Sequence, residues 1–442
     1  MLVGTDGLGW IDFNDYALAR DVGIVALALI LFEGGLNTGF DEIRPVLGVA
    51  ISLAIVGTLL TAAITGFAAA GLFGFSTKEG LLVGSIIAAT DGAAIFAVLR
   101  DSTLRRRLAL ALEGEAGLND AIAVLLVLAC IDWILKPHYG IGDALVLFVR
   151  ELGVGVGIGV VTGWLAVQAL RRVRLATAGL YPVASLAVAA IAYGAAAALE
   201  GSGFVAVYLA GLALGSASIP AKQTVANFHQ GLGWVAQLAM FLTLGLLVFP
   251  SQFGDVAVEG TALALVLTLV ARPVAVWIAT LFARFSAAER LALGWGGLRG
   301  AVPVVLATFA VIAHVPESLE DLNIVFFAVI VSTLLQGTTF ESVARRLKVT
   351  SHEPALPPAL IEAGTVRELG ADVIEHTIDP DDAIVGARVR DLGLPREAVV
   401  NVLVRGEEAI PPRGSTRLQA GDSLHILVRQ EAMRDMPTLI ER

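Results

Sequence analysis

The sequence predicts a polytopic α-helical membrane protein with a small soluble α/β domain at its C-terminus. Of its 442 residues, 56% are hydrophobic and only 16% are charged, and the mean hydropathy is +0.79. Soluble globular proteins carry about 25% charged residues, so this composition excludes a disordered chain, a collagen-like chain and an ordinary soluble enzyme. The single cysteine, Cys130, excludes a disulfide framework and a multi-cysteine metal site. The net charge of −10 argues against nucleic acid as a partner.

Charged residues are concentrated in the last part of the chain. Residues 350–442 contain 10 Lys and Arg and 16 Asp and Glu, whereas the much longer stretch 1–349 contains 20 and 24. We therefore predict a membrane domain over residues 1–349, a Pro-rich linker over 350–362 and a cytosolic domain over 363–442.

Apolar stretches long enough to cross a bilayer, about 20 residues, divide the membrane domain. Eleven are predicted: 17–36, 45–73, 78–99, 108–135, 143–170, 178–199, 203–217, 228–249, 257–283, 288–314 and 321–344. One alternating set of links contains 14 Lys and Arg and the other contains 3. Basic links are expected in the cytoplasm, which places the C-terminus inside and the N-terminus outside. Because residues 1–16 contain no signal-peptide core, we expect that an even number of further spans precedes residue 1.

Seven charged residues inside the predicted spans are candidates for a functional role. They are Glu33, Asp91, Glu113, Glu115, Asp120, Arg272 and Arg299. A charge at the centre of a bilayer costs about 2.5–3.5 kcal/mol on insertion scales, so each one requires a reason. With a rise of about 1.5 Å per residue, Asp91, Asp120, Arg272 and Arg299 lie near the midplane. This pattern predicts an ion site in which arginines neutralise surplus acid; the alternative is two buried ion pairs that only fix helix packing.

Two of the predicted spans are interrupted by helix-weakening residues. Residues 88–93 place Thr90, Asp91 and Gly92 in the middle of the third span, and residues 294–303 contain four glycines and a proline in the tenth. Such a pair of interrupted helices in opposite halves is typical of an inverted-repeat transporter, in which freed backbone carbonyls bind a cation. Each glycine taken alone is equally consistent with close helix packing.

Residues 113–120 of the fourth predicted span include three acids and an amide. Glu115 and Asn119 are four residues apart and share a helix face, and Asp120 lies about 100° further round. Asp120, Asp91, Thr90 and Asn119 can supply the oxygen ligands that a monovalent cation prefers. A carboxylate at this depth can bind a proton or a cation, but binding of one disfavours binding of the other. That competition is sufficient to exchange a cation for a proton.

Five stretches of the membrane domain resemble motifs of the monovalent cation:proton antiporter family 1. They occur in the family's order: Leu31–Leu36, Ala89–Asp91, Glu115–Asp120, Ala271–Pro273 and Gly297–Ala301. The similarity covers nearly all of residues 17–344 and is strongest to the bacterial potassium/proton antiporters linked to cell-volume regulation. It implies an inverted-repeat antiporter fold, a homodimer surrounded by membrane lipid in the bacterial inner membrane, exchange of K⁺ or Na⁺ for H⁺, and no cofactor.

The resemblance also implies a role for each matching polar residue. Asp120 corresponds to the transport-site aspartate, and Asp91 and Thr90 correspond to the unwound crossing point. Asn119 corresponds to a neutral residue that accompanies electroneutral exchange. Glu33 corresponds to an acid on the access path.

The remaining matches are structural, and the chain departs from the family at three points. Glu115 corresponds to an acid that pairs with the arginine at Arg272, and Arg299 corresponds to the arginine of the second interrupted helix. Ala116 stands where many relatives have a serine hydroxyl, and Gly92 stands where many have proline. The family also has two spans before the first one found here, so we expect this chain to begin at the third.

The C-terminal domain shows the alternating apolar pattern of strands. Three strands are predicted: 372–378, 399–405 and 423–429. A closing helix is predicted over 430–440. Residues 383–395 and 412–422 resemble the C-terminal lobe of regulator-of-potassium-conductance (RCK) domains. Such lobes dimerise and bind a small molecule, sometimes a nucleotide, so the resemblance implies a cytosolic regulator; the alternative is a stabilising or dimerising appendage.

Three other functions fit parts of the pattern. A Na⁺/H⁺ antiporter would use the same architecture. A ligand-gated potassium conductance would need a carbonyl-lined filter of the TVGYG type, which the sequence lacks. A membrane-bound enzyme would need a catalytic constellation, and the sequence contains no Ser/His/Asp arrangement and no metal-ligand spacing. His229 and His314 fall near predicted span ends, where an interfacial position is expected.

Overall fold

The computed structural model contains two compact units, which divide near residue 356. The residues it describes are 4, 6, 8–92, 94–95, 102–173, 175–351, 371–378, 382, 384–395, 397–406 and 408–429. The first unit is helical and the second contains one β-sheet. The linker over 350–362 stays a prediction, since only its first two residues are described.

The helical unit begins with α1, Tyr16–Thr38. The Asp15 carboxylate caps this helix by accepting a hydrogen bond from the Leu18 backbone N–H at 2.9 Å. The helices that follow in the first half are α2 (Phe40–Ile43), α3 (Leu47–Ser52), α4 (Thr58–Phe73), α5 (Thr77–Ile87) and α6 (Arg106–Leu135). A π-helical turn, Leu53–Gly57, joins α3 to α4 in one continuous span.

Four helices separate the two halves of the unit. They are α7 (Ile141–Arg172), α8 (Leu180–Ala198), α9 (Gly203–Ser216) and α10 (Lys222–Leu247). α1 and α9 cross at very short range, because a Cβ on Gly35 would meet the Tyr208 carbonyl oxygen and a Cβ on Gly211 would meet that of Phe32. Small residues permit such close crossings in membrane proteins. The two helices therefore form one continuous wall.

The second half repeats the pattern of the first. Its helices are α11 (Phe253–Val266), α12 (Arg272–Ala279), α13 (Ala287–Trp295), α14 (Ala301–Ile312) and α15 (Ser318–Arg346). A π turn, Leu267–Ala271, again lies within the first span of the half. An interrupted helix and one long helix, α6 or α15, then follow in each half. The two long helices run in opposite directions, since the Arg105 N–H before α6 donates to the Val349 carbonyl oxygen after α15 at 3.0 Å. The predicted inverted repeat with two interrupted helices is confirmed.

Contacts between the helix ends agree with the prediction that successive links between spans lie on alternate sides of the membrane. Arg107 donates to the Arg284 carbonyl oxygen at 3.2 Å, and both residues belong to the basic set. Lys78 donates to the Trp133 carbonyl oxygen at 2.7 Å, in the set that is poor in Lys and Arg. Which end faces the cytoplasm stays a prediction.

Seven spans among the described residues are long and apolar enough to cross a membrane. They are Leu47–Phe73, Arg106–Leu135, Ile141–Arg172, Leu180–Ala198, Lys222–Leu247, Val256–Ala279 and Ser318–Arg346. Two shorter apolar helices, α9 and α14, add to them. The chain is a multi-pass membrane protein. Each of the eleven predicted stretches contains helix, although residues 93 and 96–99 of the third lie outside the described residues.

α10 begins at Lys222, six residues before the stretch that hydropathy predicts. The first turns of α10 are polar. Hydropathy identifies apolar stretches, so it does not predict that these polar turns belong to the helix. His229 therefore lies inside the protein, with its Nε2 2.8 Å from the Ser185 hydroxyl oxygen. The membrane-interface position expected for His229 stays a prediction.

The second unit contains a four-stranded antiparallel sheet. Its strands are β1 (Ala371–Thr377), β2 (Ala398–Arg405), β3 (Glu408–Ile410) and β4 (Ser423–Arg429), in the order β1-β4-β2-β3. The three predicted strands are confirmed, and β3 has only three residues, too few to show an alternating pattern. Arg405 donates to the buried Asp422 carboxylate at 2.8 Å, and these hydrogen bonds hold the pKa of Asp422 below its usual range. The closing helix predicted over 430–440 lies outside the described residues.

Candidate ion-binding site

The first helix interruption lies between α5 and the helical turn that resumes at Gly92. The Thr90 backbone N–H donates to Asn119 Oδ1 at 2.8 Å. The Nδ2 of the same amide donates to the Thr58 hydroxyl at 2.5 Å. All three side chains are buried, where an unpaired backbone N–H is costly. One amide from α6 thus ties the unwound segment to α4, a role that the sequence alone did not reveal.

The second interruption, residues 296–300, is held by the long helix of its own half. Gln336 on α15 donates its Nε2 to the Trp295 carbonyl oxygen at 3.0 Å. The Thr333 hydroxyl, one turn earlier, donates to the Arg299 carbonyl oxygen. In both halves, therefore, polar side chains of the long helix satisfy backbone groups that the interruption leaves without helical partners.

The two interrupted segments hydrogen-bond to each other. The Asp91 N–H donates to the Leu298 carbonyl oxygen at 2.9 Å, and the Ala301 N–H donates to Asp91 Oδ2 at 3.3 Å. In the other direction, Arg299 Nη1 donates to the Ala88 carbonyl oxygen at 2.7 Å. The Asp91 carboxylate thus lies at the N-terminus of α14 and the Arg299 guanidinium at the C-terminus of α5. Each charge faces the helix end of opposite sign, which stabilises it.

Gly300 makes this crossing possible. A Cβ at Gly300 would overlap the Asp91 carboxylate, so no side chain fits there. The glycine-rich pattern of residues 294–303 indicates only an interrupted helix. The steric requirement at Gly300 depends on a residue from the other half of the chain and could not be predicted from that pattern.

Glu115 and Arg272 form the ion pair that the resemblance implies. Arg272 Nη1 lies 2.5 Å from Glu115 Oε1, and Nη2 donates to Oε2 at 2.7 Å. Both side chains are only 1% exposed. This two-pronged geometry joins α6 to α12 and neutralises both charges within the helical unit.

Asp120 is buried beside this pair and the crossing point. Its electrostatic neighbours include Asp91 and Arg299, so the structure brings together the acids and the arginine predicted at the midplane. Asp120 Oδ1 and the Thr90 hydroxyl oxygen are both buried and have no hydrogen-bond partner among the described residues. Most buried polar atoms do have partners. Two such oxygen atoms are suitable ligands for a monovalent cation.

Asp120 also lines a small cavity of about 10 Å³, which is room for about one water molecule. The cavity lies between α6 and the wall formed by α1 and α9. Its other polar lining residues are Glu113, Thr38 and Tyr208. Glu113 stood out in the sequence only as a charge inside a span, and no motif pointed to Tyr208.

Comparison with known proteins assigns the fold around this site. The family described as "Sodium/hydrogen exchanger, transmembrane" matches residues 1–346, and the "TrkA-C domain" matches residues 373–439. The chain belongs to the sodium/hydrogen exchanger family. This family consists of transporters, and the two matched regions agree with the resemblance to family 1 antiporters and to RCK C-terminal lobes.

Individual relatives of this exchanger extend over its whole length. The K(+)/H(+) antiporter NhaP2 of Shewanella baltica is 36% identical over 445 residues, which cover 100% of this chain and 77% of the relative. The K(+)/H(+) antiporter NhaP of Alkalimonas amylolytica is 34% identical over 447 residues, with the same shares. The solved structure of the sodium proton antiporter MjNhaP1 from Methanocaldococcus jannaschii at pH 8 superposes with a TM-score of 0.67. It is 21% identical and covers 78% of this chain and 90% of its own.

Glu33 of the exchanger lies apart from these residues. Its carboxylate accepts a hydrogen bond from Asn37 Nδ2 at 2.6 Å and lies beside Gly233 of α10. The described residues that line the cavity include four neighbours of Glu33 on α1 but not Glu33 itself. A role for Glu33 on an access path stays a prediction.

Asn119→Ala is expected to destabilise the exchanger and to slow transport. The substitution leaves the Thr90 N–H without an acceptor in a buried position, which costs about 1–3 kcal/mol. We would measure the free energy of unfolding and cation-driven proton movement. Thr58→Val is the comparison variant: it leaves the buried Asn119 Nδ2 without its acceptor and should also lose stability, but it keeps Thr90 paired and should keep transport. An equal loss of transport in the two variants would contradict the role given to Asn119.

Proposed function

We propose that this exchanger is a secondary active transporter that exchanges K⁺ for H⁺ by alternating access. The observation that carries the proposal is the buried Asp120 carboxylate, whose Oδ1 lacks a hydrogen-bond partner among the described residues and lies at the crossing of two interrupted helices. A carboxylate in this position can hold a proton or a monovalent cation. Because each displaces the other, movement of one drives movement of the other.

The neighbouring groups support this competition. The Thr90 hydroxyl oxygen is available as a second cation ligand. Arg299 lies at the end of α5 and offsets part of the negative charge of Asp120. Asn119 is neutral and its amide is engaged by Thr90 and Thr58, so it adds no exchangeable proton. One exchangeable carboxylate favours electroneutral exchange of one cation for one proton.

The preference for K⁺ over Na⁺ rests on the relatives that are 34–36% identical over the full chain, which are named K(+)/H(+) antiporters. We further infer that the C-terminal domain lies in the cytoplasm and regulates transport in response to a small molecule or nucleotide. A homodimer in the bacterial inner membrane, surrounded by lipid, completes the proposal.

Proton movement in everted membrane vesicles tests the function. We would express the full chain in a bacterial host that lacks its own K⁺/H⁺ and Na⁺/H⁺ antiporters, acidify the vesicle lumen, and add KCl or NaCl at constant ionic strength. We expect K⁺ to release protons at lower concentrations than Na⁺. Vesicles from the host without the chain provide the background. A response to Na⁺ alone would make the protein a Na⁺/H⁺ antiporter, and current without proton release would indicate a conductance.

A further inference from the structure

Glu113 and Asp120 lie on the same face of α6, seven residues apart. Seven residues correspond to about two helical turns and to about 10 Å along the axis. Both acids are buried and both line the cavity described above. Glu115, in contrast, pairs with Arg272 and is absent from the described residues that line the cavity. Of these three acids, Glu115 is therefore structural, whereas Glu113 and Asp120 border the cavity.

The space between Glu113 and Asp120 is open because the residues between them on this face are small. Ala116 and Gly117 lie one turn from each acid, and both line the cavity. The Tyr208 ring of α9 packs directly on Gly117, where a Cβ would overlap it. The hydroxyl end of that ring therefore lies between the levels of the two carboxylates.

The oxygen atoms around this space suit a monovalent cation. Glu113 and Asp120 contribute carboxylates, and Thr38 and Tyr208 contribute hydroxyls from the facing wall. Asp120 Oδ1 is buried without a hydrogen-bond partner among the described residues. The cavity holds about one water-sized particle at a time, so the two carboxylates, whose backbones are about 10 Å apart along the helix, serve a single ion. The arrangement fits two successive positions for one ion.

We propose that Glu113 is a second cation-binding carboxylate of the transport path, which receives K⁺ between the Arg106 end of α6 and Asp120. Tyr208 lies between the two positions and supplies its hydroxyl oxygen to the passing ion. This inference rests on the proposed K⁺/H⁺ exchange and names a residue that sets the cation affinity of that exchange. Asp120 remains the site at which cation and proton compete.

Glu113→Gln tests the inference, because it removes the charge and keeps the size of the side chain. The K⁺ concentration for half-maximal proton release from everted vesicles should rise about tenfold, while the maximal rate stays within about twofold of the unmodified chain. Tyr208→Phe, which removes only the hydroxyl, should raise the half-maximal K⁺ concentration about threefold. Glu79→Gln is the matched control, since the half-buried Glu79 caps α5 away from the residues that line the cavity, and glutamine caps equally well. This control should leave the K⁺ dependence unchanged.

Purified protein in detergent provides a readout that does not require transport. K⁺, added against choline at constant ionic strength, should raise the melting temperature of the unmodified chain, and Glu113→Gln should need about tenfold more K⁺ for the same rise. The inference would be overturned if Glu113→Gln had the same K⁺ dependence as the unmodified chain in both assays. It would also be overturned if Glu113→Gln lowered the maximal rate of proton release without changing the K⁺ dependence. Should the unmodified chain bind K⁺ without moving protons, the proposed function fails while the shift in Glu113→Gln still decides this inference.

A shorter acid covers the case in which Glu113→Gln does not accumulate in the membrane. Glu113→Asp keeps the charge but withdraws the carboxylate by one methylene, so the half-maximal K⁺ concentration should rise about threefold. A K⁺ dependence equal to that of the unmodified chain in Glu113→Asp and in Tyr208→Phe would then reject the second binding position.

Discussion

Asp120→Asn is expected to abolish K⁺-driven proton release while leaving the protein folded. Asparagine has nearly the same shape as aspartate, but it can neither bind a proton in the relevant range nor offer a charged oxygen to a cation. Because both sides of the exchange use this one carboxylate, proton release should fall to the background of vesicles without the exchanger. Stabilisation of the purified protein by K⁺ should be lost with it.

Asp132→Asn is the control for that experiment. Asp132 lies on the same helix, near its end, and pairs with the exposed Lys136 at 2.7 Å. The same chemical change at this position should leave exchange unaffected, since exposed ion pairs contribute little. Full exchange activity in Asp120→Asn would remove Asp120 as the transport site and with it the proposed mechanism.

Much of the helical architecture follows from the sequence because the bilayer imposes a strong constraint. Backbone groups in hydrocarbon must be satisfied within helices, so long apolar stretches identify spans directly. Interruptions such as residues 294–303 are visible because glycine and proline weaken helices. Helix ends are less visible: α10 extends through polar residues to Lys222, and this placed His229 in the interior.

The chemistry of the candidate site is only partly visible in the sequence. A charge such as Asp120 stands out because a membrane span seldom carries one. The Asn119–Thr90 hydrogen bond, the steric demand at Gly300 and the cavity between Glu113 and Tyr208 do not stand out. Each of them depends on tertiary contacts between residues that are distant in the sequence, and a local sequence pattern does not indicate which residues make those contacts.

The Glu115–Arg272 pair provides the second large expected effect. Arg272→Ala leaves the Glu115 carboxylate buried at 1% exposure without its two-pronged partner. Removing one member of a buried pair costs about 3–5 kcal/mol, because the other charge remains desolvated. We therefore expect a large loss in the free energy of unfolding, measured by titration of the purified protein with a denaturing detergent.

A double-mutant cycle separates the pair from the individual side chains. Glu115→Gln in the Arg272→Ala background should restore part of the lost stability, since no uncompensated charge then remains. The coupling energy should be about 2–3 kcal/mol. The same cycle on the exposed pair of Lys136 and Asp132 should give about 0–1 kcal/mol. Absence of coupling between Glu115 and Arg272 would mean that each side chain stabilises the fold through other contacts. Arg299 would then be the arginine that offsets the negative charge around Asp120.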